Sequence, residues 1–307
     1  MERTAEFDAF GPWILAVTSV DDVPRAFRSY PFRFGGEMTI VKVPKDIARR
    51  DANPAMHLYD RILIVTHSEF VALDRVDDSF HERTVAIADI AIVECGSELL
   101  DGWLVVTSVT GETTRLEYNG SSRPVIQNLV DLLVAGATDG KRTTGVSDSM
   151  DLDALGAEDT ALVNLFRAAS RRRPLAIVAT HRGQLSRRPR TFLERVKGVR
   201  PLLSGLVLCE NPSELVLLCR RDWEHTSPKR DLSTREIVVL KRHVSLIESS
   251  PKAEAEPSAI LRISAGESHI EAIIPSDASP LARQSVTPLL RPAGYHPRPI
   301  EIGTASR

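Results

Sequence analysis

Between Arg167 and Arg200 the chain carries ten arginines and one lysine against a single acid, Glu194. They are Arg167, Arg171, Arg172, Arg173, Arg182, Arg187, Arg188, Arg190, Arg195, Lys197 and Arg200. The planar guanidinium fork grips two oxygens of a phosphate or carboxylate at once, so a cluster this dense has the chemistry of an anion-binding or partner-binding surface. A milder group, Lys42, Lys45, Arg49 and Arg50, is partly offset by Asp46 and Asp51. Beside an anionic membrane each exposed basic residue contributes about 1 kcal/mol, which would make recruitment salt-sensitive. Nucleic acid would be held by the same charge without sequence preference. Only Phe166 and Phe192 offer aromatic faces in the stretch, however, too few for a single-strand stacking platform, so nucleic acid is the disfavoured partner.

A third use of the arginines is internal. Residues 1–134 hold 13 Lys and Arg against 21 Asp and Glu, residues 135–158 hold 2 against 5, and residues 159–307 hold 24 against 15. An acidic first half beside a basic second half points to complementary docking within one chain or between chains, or to an anionic partner for the second half. Independent drift of two surfaces would leave the same pattern.

Residue types used in catalysis are present without the spacing catalysis needs. There is no GxSxG, no GxxxxGK, no HExxH, no GxGxxG after a strand and no Asp-rich calcium loop. His57, His67, His81, His181, His225, His243, His269 and His296 are scattered singly. Asp74, Asp77 and Asp78 cluster after a strand, a turn context in which carboxylates commonly satisfy backbone donors. The three cysteines, Cys95, Cys209 and Cys219, lack metal-type spacing. If Cys209 and Cys219 flank a hairpin turning near Pro212, the residue opposite Cys219 is nearer Gly205, so the thiols do not face each other and read as core residues. A non-enzymatic protein with no cofactor and no metal is expected.

The elements that must position these residues occur twice. Val23–Arg28, Met38–Val41, Ile62–Val65 and Ser68–Leu73 are answered in the same order by Leu162–Arg167, Leu175–Val178, Leu206–Cys209 and Ser213–Leu218. Further on, Gly111-Glu112-Thr113 is answered by Gly266-Glu267-Ser268, and Leu129 with Leu132-Leu133 by Val286 with Leu289-Leu290. Separation starts at 139 residues between Val23 and Leu162, dips to 137 between Met38 and Leu175 and then climbs to 157 between Leu129 and Val286, with the large steps in polar stretches, as loop insertions should be.

Period-2 runs predict seven strands in the first repeat: Met38–Val43, Tyr59–Thr66, Glu69–Asp74, Arg83–Ile87, Asp89–Glu94, Trp103–Ser108 and Glu112–Tyr118. A helix start is predicted at Asp21–Pro24, and a helix with one apolar face over Ser121–Val134. The second repeat opens with a helix over Thr160–Ala169. Its strands are Leu175–Thr180, Leu203–Cys209, Glu214–Arg220, Arg235–Leu240, Val244–Glu248, Ala259–Ser264 and Ser268–Ile274, and a helix spans Ser279–Leu290. The domains expected are therefore 1–134 with a short N-terminal helical extension and 159–290. A flexible, Gly-, Ser-, Thr- and Asp-rich linker at 135–158 and a loosely ordered tail at 291–307 complete the chain. No apolar run approaches the roughly 20 residues that span a bilayer, and the charged N-terminus is unlike a secretory signal, which predicts a cytoplasmic location, with peripheral membrane attachment as the alternative.

Seven short antiparallel strands followed by one helix resemble the bacterial pleckstrin-homology-like domains, in both repeats. The resemblance rests on Tyr59–Thr66, on Ala88–Glu94 and on Gly102–Thr107 through Gly111. It implies a mainly β fold of two repeated domains, each a seven-stranded antiparallel sandwich or partly open barrel capped by a C-terminal helix. Such domains include lipid binders, protein binders and self-assembling modules. In the phosphoinositide binders, basic residues near the first two strands hold the headgroup, and the resemblance places both basic clusters in that region. The expected function is a binding or assembly module acting on a protein partner or on itself. Binding to anionic lipid through residues 167–200 is the first alternative, and an enzyme with a site between the repeats the second.

Overall fold

The computed structural model describes residues 4–36, 38–138, 152–155, 159–185, 202–225, 231–252 and 258–276. After a short helix, Ala5–Ala9 (α1), the first half builds a five-stranded antiparallel sheet in sequence order from Leu15–Ala16 (β1), Thr39–Pro44 (β2), Tyr59–Val65 (β3), Glu69–Val76 (β4) and Ser79–Ala86 (β5). Strand alternation gives this sheet two apolar faces. Val41, Val43, Leu63, Val65, Phe70 and Ala72 face the large core, while Ile40, Ile62, Ile64, Val71 and Leu73 face Val23, Ala26 and Phe27. That covering segment forms 3-10 turns, Val20–Asp22 and Arg25–Phe27, where an α-helix start was predicted. Pro24 lies between the two turns and has no N–H to carry one into the next.

A 3-10 turn, Ile87–Asp89, leads into Ile90–Glu98 (β6), Asp101–Ser108 (β7) and Thr113–Asn119 (β8), and then into the helix Arg123–Ala137 (α2). Helix α2 buries Ile126, Leu129, Val130, Leu133, Val134 and Ala137 on one face, the spacing read in the sequence.

The second half begins with Thr160–Arg172 (α3), followed by Ala176–His181 (β9), Gln184–Leu185 (β10), Leu202–Leu203 (β11), Leu206–Glu210 (β12), Glu214–Cys219 (β13), Glu224–His225 (β14) and Thr234–Leu240 (β15). A 3-10 turn at Lys241–His243 precedes Val244–Pro251 (β16), Ser258–Ala265 (β17) and Ser268–Pro275 (β18), which form a separate three-stranded sheet; β10, β11 and β14 make another.

The two halves share one seven-stranded antiparallel sheet, ordered β8-β7-β6-β15-β13-β12-β9. Its central joint pairs β6 with β15 from Ile92↔Val239 to Ser97↔Thr234. One face packs on the five-stranded sheet, α2 and α3, and the other on β16–β18. The fold is thus mainly β, with several antiparallel sheets, none of them closed among the described residues. Within the described residues, the seven-stranded sheet belongs to both halves rather than to each separately. The predicted helix Ser279–Leu290, the tail 291–307 and, within the linker, residues 139–151 and 156–158 lie outside the described residues.

Strand β6 corrects the sequence reading most. It was expected to end at Glu94 and runs to Glu98, and Cys95, Gly96 and Ser97 supply half of the joint. Gly96 hid this, because glycine weakens a strand signal. Here the position requires it, since a Cβ would lie 2.2 Å from Trp103 Cζ2 and 2.7 Å from the Thr234 carbonyl oxygen. Strand β5 starts at Ser79 rather than Arg83, entered through a tight turn in which Asp77 takes a positive φ of 52°.

Two local structures recur. Thr66 N–H donates to Glu69 O while Thr66 Oγ1 accepts from Ser68 and Glu69 N–H; Asn211 N–H donates to Glu214 O while Asn211 Oδ1 accepts from Ser213 and Glu214 N–H. Ile87 N–H then donates to Ser68 O at 2.8 Å, and Lys241 N–H to Ser213 O at 2.9 Å.

Because the Gly96 Cβ would meet both a ring and a backbone oxygen, Gly96→Ala is expected to overpack the joint and lower the unfolding free energy by about 1–3 kcal/mol. Equilibrium urea unfolding measures it, and an unchanged midpoint would show that the joint yields at no cost.

Candidate functional site

The arginine stretch is where the sequence placed the chemistry, and its first members go inward. Helix α3 ends at Arg172, with Pro174 two residues on, so the chain turns out of the helix while cations sit at the negative end of its dipole. Arg172 reaches Asp131 of α2 at 3.1 Å and Glu236 of β15 at 3.0 Å. Arg173, buried, reaches Glu214 of β13 at 2.8 Å, binds Glu236, and stands 3.6 Å from Asp131. Two guanidiniums thus meet three carboxylates where α2 of the first half crosses the strands of the second. Burial is the largest influence on Arg173 and opposes its charge, but Glu236, Glu214 and Asp131 together more than offset it. For Asp131 burial prevails over Arg172 and Arg173 and raises its pKa above the usual carboxylate value.

Further pairs cross between the halves. Arg235 binds Glu94 at 2.7 Å, Arg221 approaches Glu98 at 3.7 Å, and Arg242 donates to the carbonyls of Ile87, at 3.2 Å, and Ala88. Trp103 Nε1–H donates to Glu94 at 2.8 Å, and the Arg221 guanidinium lies 5.0 Å over the Trp103 ring. Acidic first-half groups meeting basic second-half groups is the intramolecular docking that the charge division allowed.

The milder basic group is also largely engaged. Lys42 is buried, donates to Asp22 O at 2.7 Å and lies 4.9 Å over the Tyr59 ring; burial pulls its pKa down. Arg49 donates to Phe7 O at 2.7 Å and to Phe10 O, and lies over the Phe7 ring, tying α1 to the sheet. Arg50 is exposed and only 3.8 Å from Asp51. Lys45, half-buried, lines a cavity of about 410 Å³ with Asp46, Asp101, Arg115, Glu117 and Arg221. Arg171 and Arg182 are exposed, whereas Arg187, Arg188 and Arg190 lie outside the described residues. The structure therefore brings Arg172 and Arg173 together and leaves Lys42, Lys45, Arg49 and Arg50 apart from them, on the first half.

The acidic turn does something other than expected. Asp74 binds Arg61 and Arg83 rather than backbone donors, and these two arginines donate in turn to the carbonyls of Arg115 and Thr113 on β8. Asp78 accepts from His57 at 2.6 Å. All three cysteines are free and buried, with thiol pKa values pushed up chiefly by burial, to about 12 for Cys219. Cys209 and Cys219 sit on opposite faces of the seven-stranded sheet, as the hairpin register required. Among the described residues no group of three or more His, Cys, Asp and Glu is placed to hold a metal ion, and no helix is long and apolar enough to cross a membrane.

What the sequence reading missed are the carboxylates that receive the arginines. Glu214 and Glu236 are buried on strands rich in Leu, Ile and Val, and a charge at such a position signals a buried partner. Compared with known protein families and with curated proteins, the sequence finds no match in either.

Removing one partner of a buried pair strands the others, so Arg173→Ala is expected to cost about 3–5 kcal/mol, whereas Arg171→Gln on the exposed surface changes stability by less than about 0.5 kcal/mol. Thermal or urea unfolding of the two variants checks this. Asp131 supplies a pH test. Its folded pKa lies above its unfolded one, so its contribution to stability is full at low pH and is lost as pH rises through the folded value. Asp131→Asn is expected to lack that slope; identical slopes in the two proteins would refute the assignment.

Proposed function

We propose that the chain is a non-enzymatic binding or assembly module built from two pleckstrin-homology-like repeats, acting on a protein partner or on further copies of itself. One observation carries the reading. The halves already recognise each other by laddering sheet edges across β6 and β15, while two arginines of the basic stretch, Arg172 and Arg173, are occupied by carboxylates at that joint.

Support for the tandem arrangement comes from a recurring order of four longer strands, a 3-10 turn and three strands: β2, β3, β4, β5, then β6–β8, and β9, β12, β13, β15, then β16–β18, with the two-residue strands β10, β11 and β14 interposed in the second half. The recurring turns at Thr66 and Asn211, and the recurring bonds from Ile87 and Lys241, support it further. Binding to anionic lipid keeps one specific point in its favour, the exposure of Arg171 and Arg182.

Static light scattering over a concentration series tests the main reading: apparent mass is expected to rise above that of one chain as concentration increases, and a constant single-chain mass would overturn self-association. Flotation with phosphatidylserine vesicles at low salt is expected to leave the protein unbound. Flotation that disappears in an Arg171→Gln, Arg182→Gln variant would move the reading to lipid.

A further inference from the structure

The segment covering the five-stranded sheet carries aromatic rings that the core does not take in. Phe27 is fully buried on the sheet, but Tyr30, Phe32 and Phe34, which follow it, are left half-buried. Tyr30 and Phe32 wall a cavity of about 500 Å³ whose lining includes Met38, Ile64 and Val71, a size in the range of small-molecule sites. The wall is braced from within. Tyr30 N–H donates to Phe27 O at 3.0 Å, and Phe32 N–H to Tyr30 O at 2.8 Å. The Tyr30 and Phe32 rings meet with centroids 4.9 Å apart and planes at 63°, and Phe80 supports Tyr30 at 5.9 Å. Two rings at that angle form an aromatic corner.

Strand alternation decides the charge beside this corner. Val71 pairs with Thr84 and Leu73 with Glu82, so Glu69 and Glu82 share the sheet face of Val71 and Leu73. Glu69 lines the cavity and is exposed, and among the described residues its carboxylate has no hydrogen-bond or ion-pair partner. Burial, then the carboxylates of Glu82 and Glu69, raise the pKa of the Tyr30 hydroxyl, so acids set the field at this ring. Arg33 and His67 line the cavity as well, both exposed. An aromatic face with a carboxylate beside it attracts a cation. Ile64, Val71 and Met38 offer no oxygen to the N–H donors of a bare ammonium, so the cation that fits carries its charge on methyl groups. We propose that this cavity binds a methylated ammonium group, with Tyr30 and Phe32 against the methyls and Glu69 as counter-charge. Arg33 opposes it. The cavity lies on the sheet face turned away from the large core, and a constant single-chain mass in light scattering would leave the proposal standing.

Isothermal titration calorimetry of the full-length chain tests it, with choline as the probe beside dimethylbutanol, the uncharged analogue that has carbon in place of the nitrogen. Choline is expected to bind saturably at millimolar concentration and the alcohol not to bind. Tyr30→Leu keeps apolar bulk but removes the aromatic face, and is expected to weaken choline about tenfold, whereas Tyr30→Phe leaves it unchanged. Glu69→Gln is expected to weaken choline about threefold and Arg33→Gln to strengthen it by about the same factor; both positions are exposed, so the fold stays intact. Equal binding of the alcohol, or Glu69→Gln and Arg33→Gln proteins that bind choline like the parent, would reduce the site to an apolar cleft and overturn the proposal. So would a parent protein that shows no saturable binding of choline. A peptide carrying trimethyllysine separates the sources of the cation: tighter binding than choline assigns the site to a protein chain, and equal or weaker binding to a free molecule.

Discussion

The backbone ladder between β6 and β15 is the constraint on which the remaining architecture depends. Without it the three strands β6–β8 and the four strands β15, β13, β12 and β9 would each end in an open edge, and the chain would be two small sheets tethered by a linker. With it, α2 and α3 come to lie over one continuous surface, and Val93 and Val238, opposite each other in the joint, join a core that runs from Ile14 to Leu240. A shared sheet also makes the halves cooperative. Opening the joint would expose Ile92 and Val239 on one face and Val93 and Val238 on the other, so it cannot separate without uncovering both cores.

Charge placed inside that joint gives it direction. Glu236 and Cys95 are paired residues of the ladder, and Glu236 is 1% exposed beneath Arg172 and Arg173. A register slip of one residue would turn Glu236 to the face packed on β16–β18, away from Arg172 and Arg173. Buried ion pairs add little net stability compared with apolar residues, but they penalise alternatives severely. In this joint the apolar pairs at Val93 and Ile92 supply attraction that many registers could share. Glu236 and Glu94, each with an arginine partner, distinguish one register from the rest.

Much of the fold was legible, and the reasons differ from element to element. Near-continuous runs of Leu, Ile and Val marked β3, β4, β12 and β13 because both their faces are buried or nearly so. The apolar spacing from Ile126 to Leu133 marked α2 because one face of the helix is buried. The end of β6 was illegible because Gly96 serves a contact with Trp103 and with a strand far away in sequence, and no local preference records that. The arginine cluster was visible as a cluster, but its use was not. Arg171, Arg172 and Arg173 are one tripeptide of identical chemistry, and only the three-dimensional position of Asp131, Glu214 and Glu236 makes two of them structural and leaves the first in solvent.

The treatment of sheet edges separates surfaces that the fold closes from those it leaves available. An unpaired edge invites another strand unless it is short, covered or capped by charge. Strand β1 is two residues long. The edge strand β8 is capped from the facing sheet, since Arg83 and Arg61 donate to the carbonyls of Thr113 and Arg115 while Asp74 holds both guanidiniums in place. Asp74 is therefore more than a turn residue. It fixes two donors over a row of acceptors and takes β8 out of competition for a partner strand. Strand β5 supplies one of those arginines through its side chain. The edge whose pairing would extend the shared sheet at the first-half end is thereby blocked.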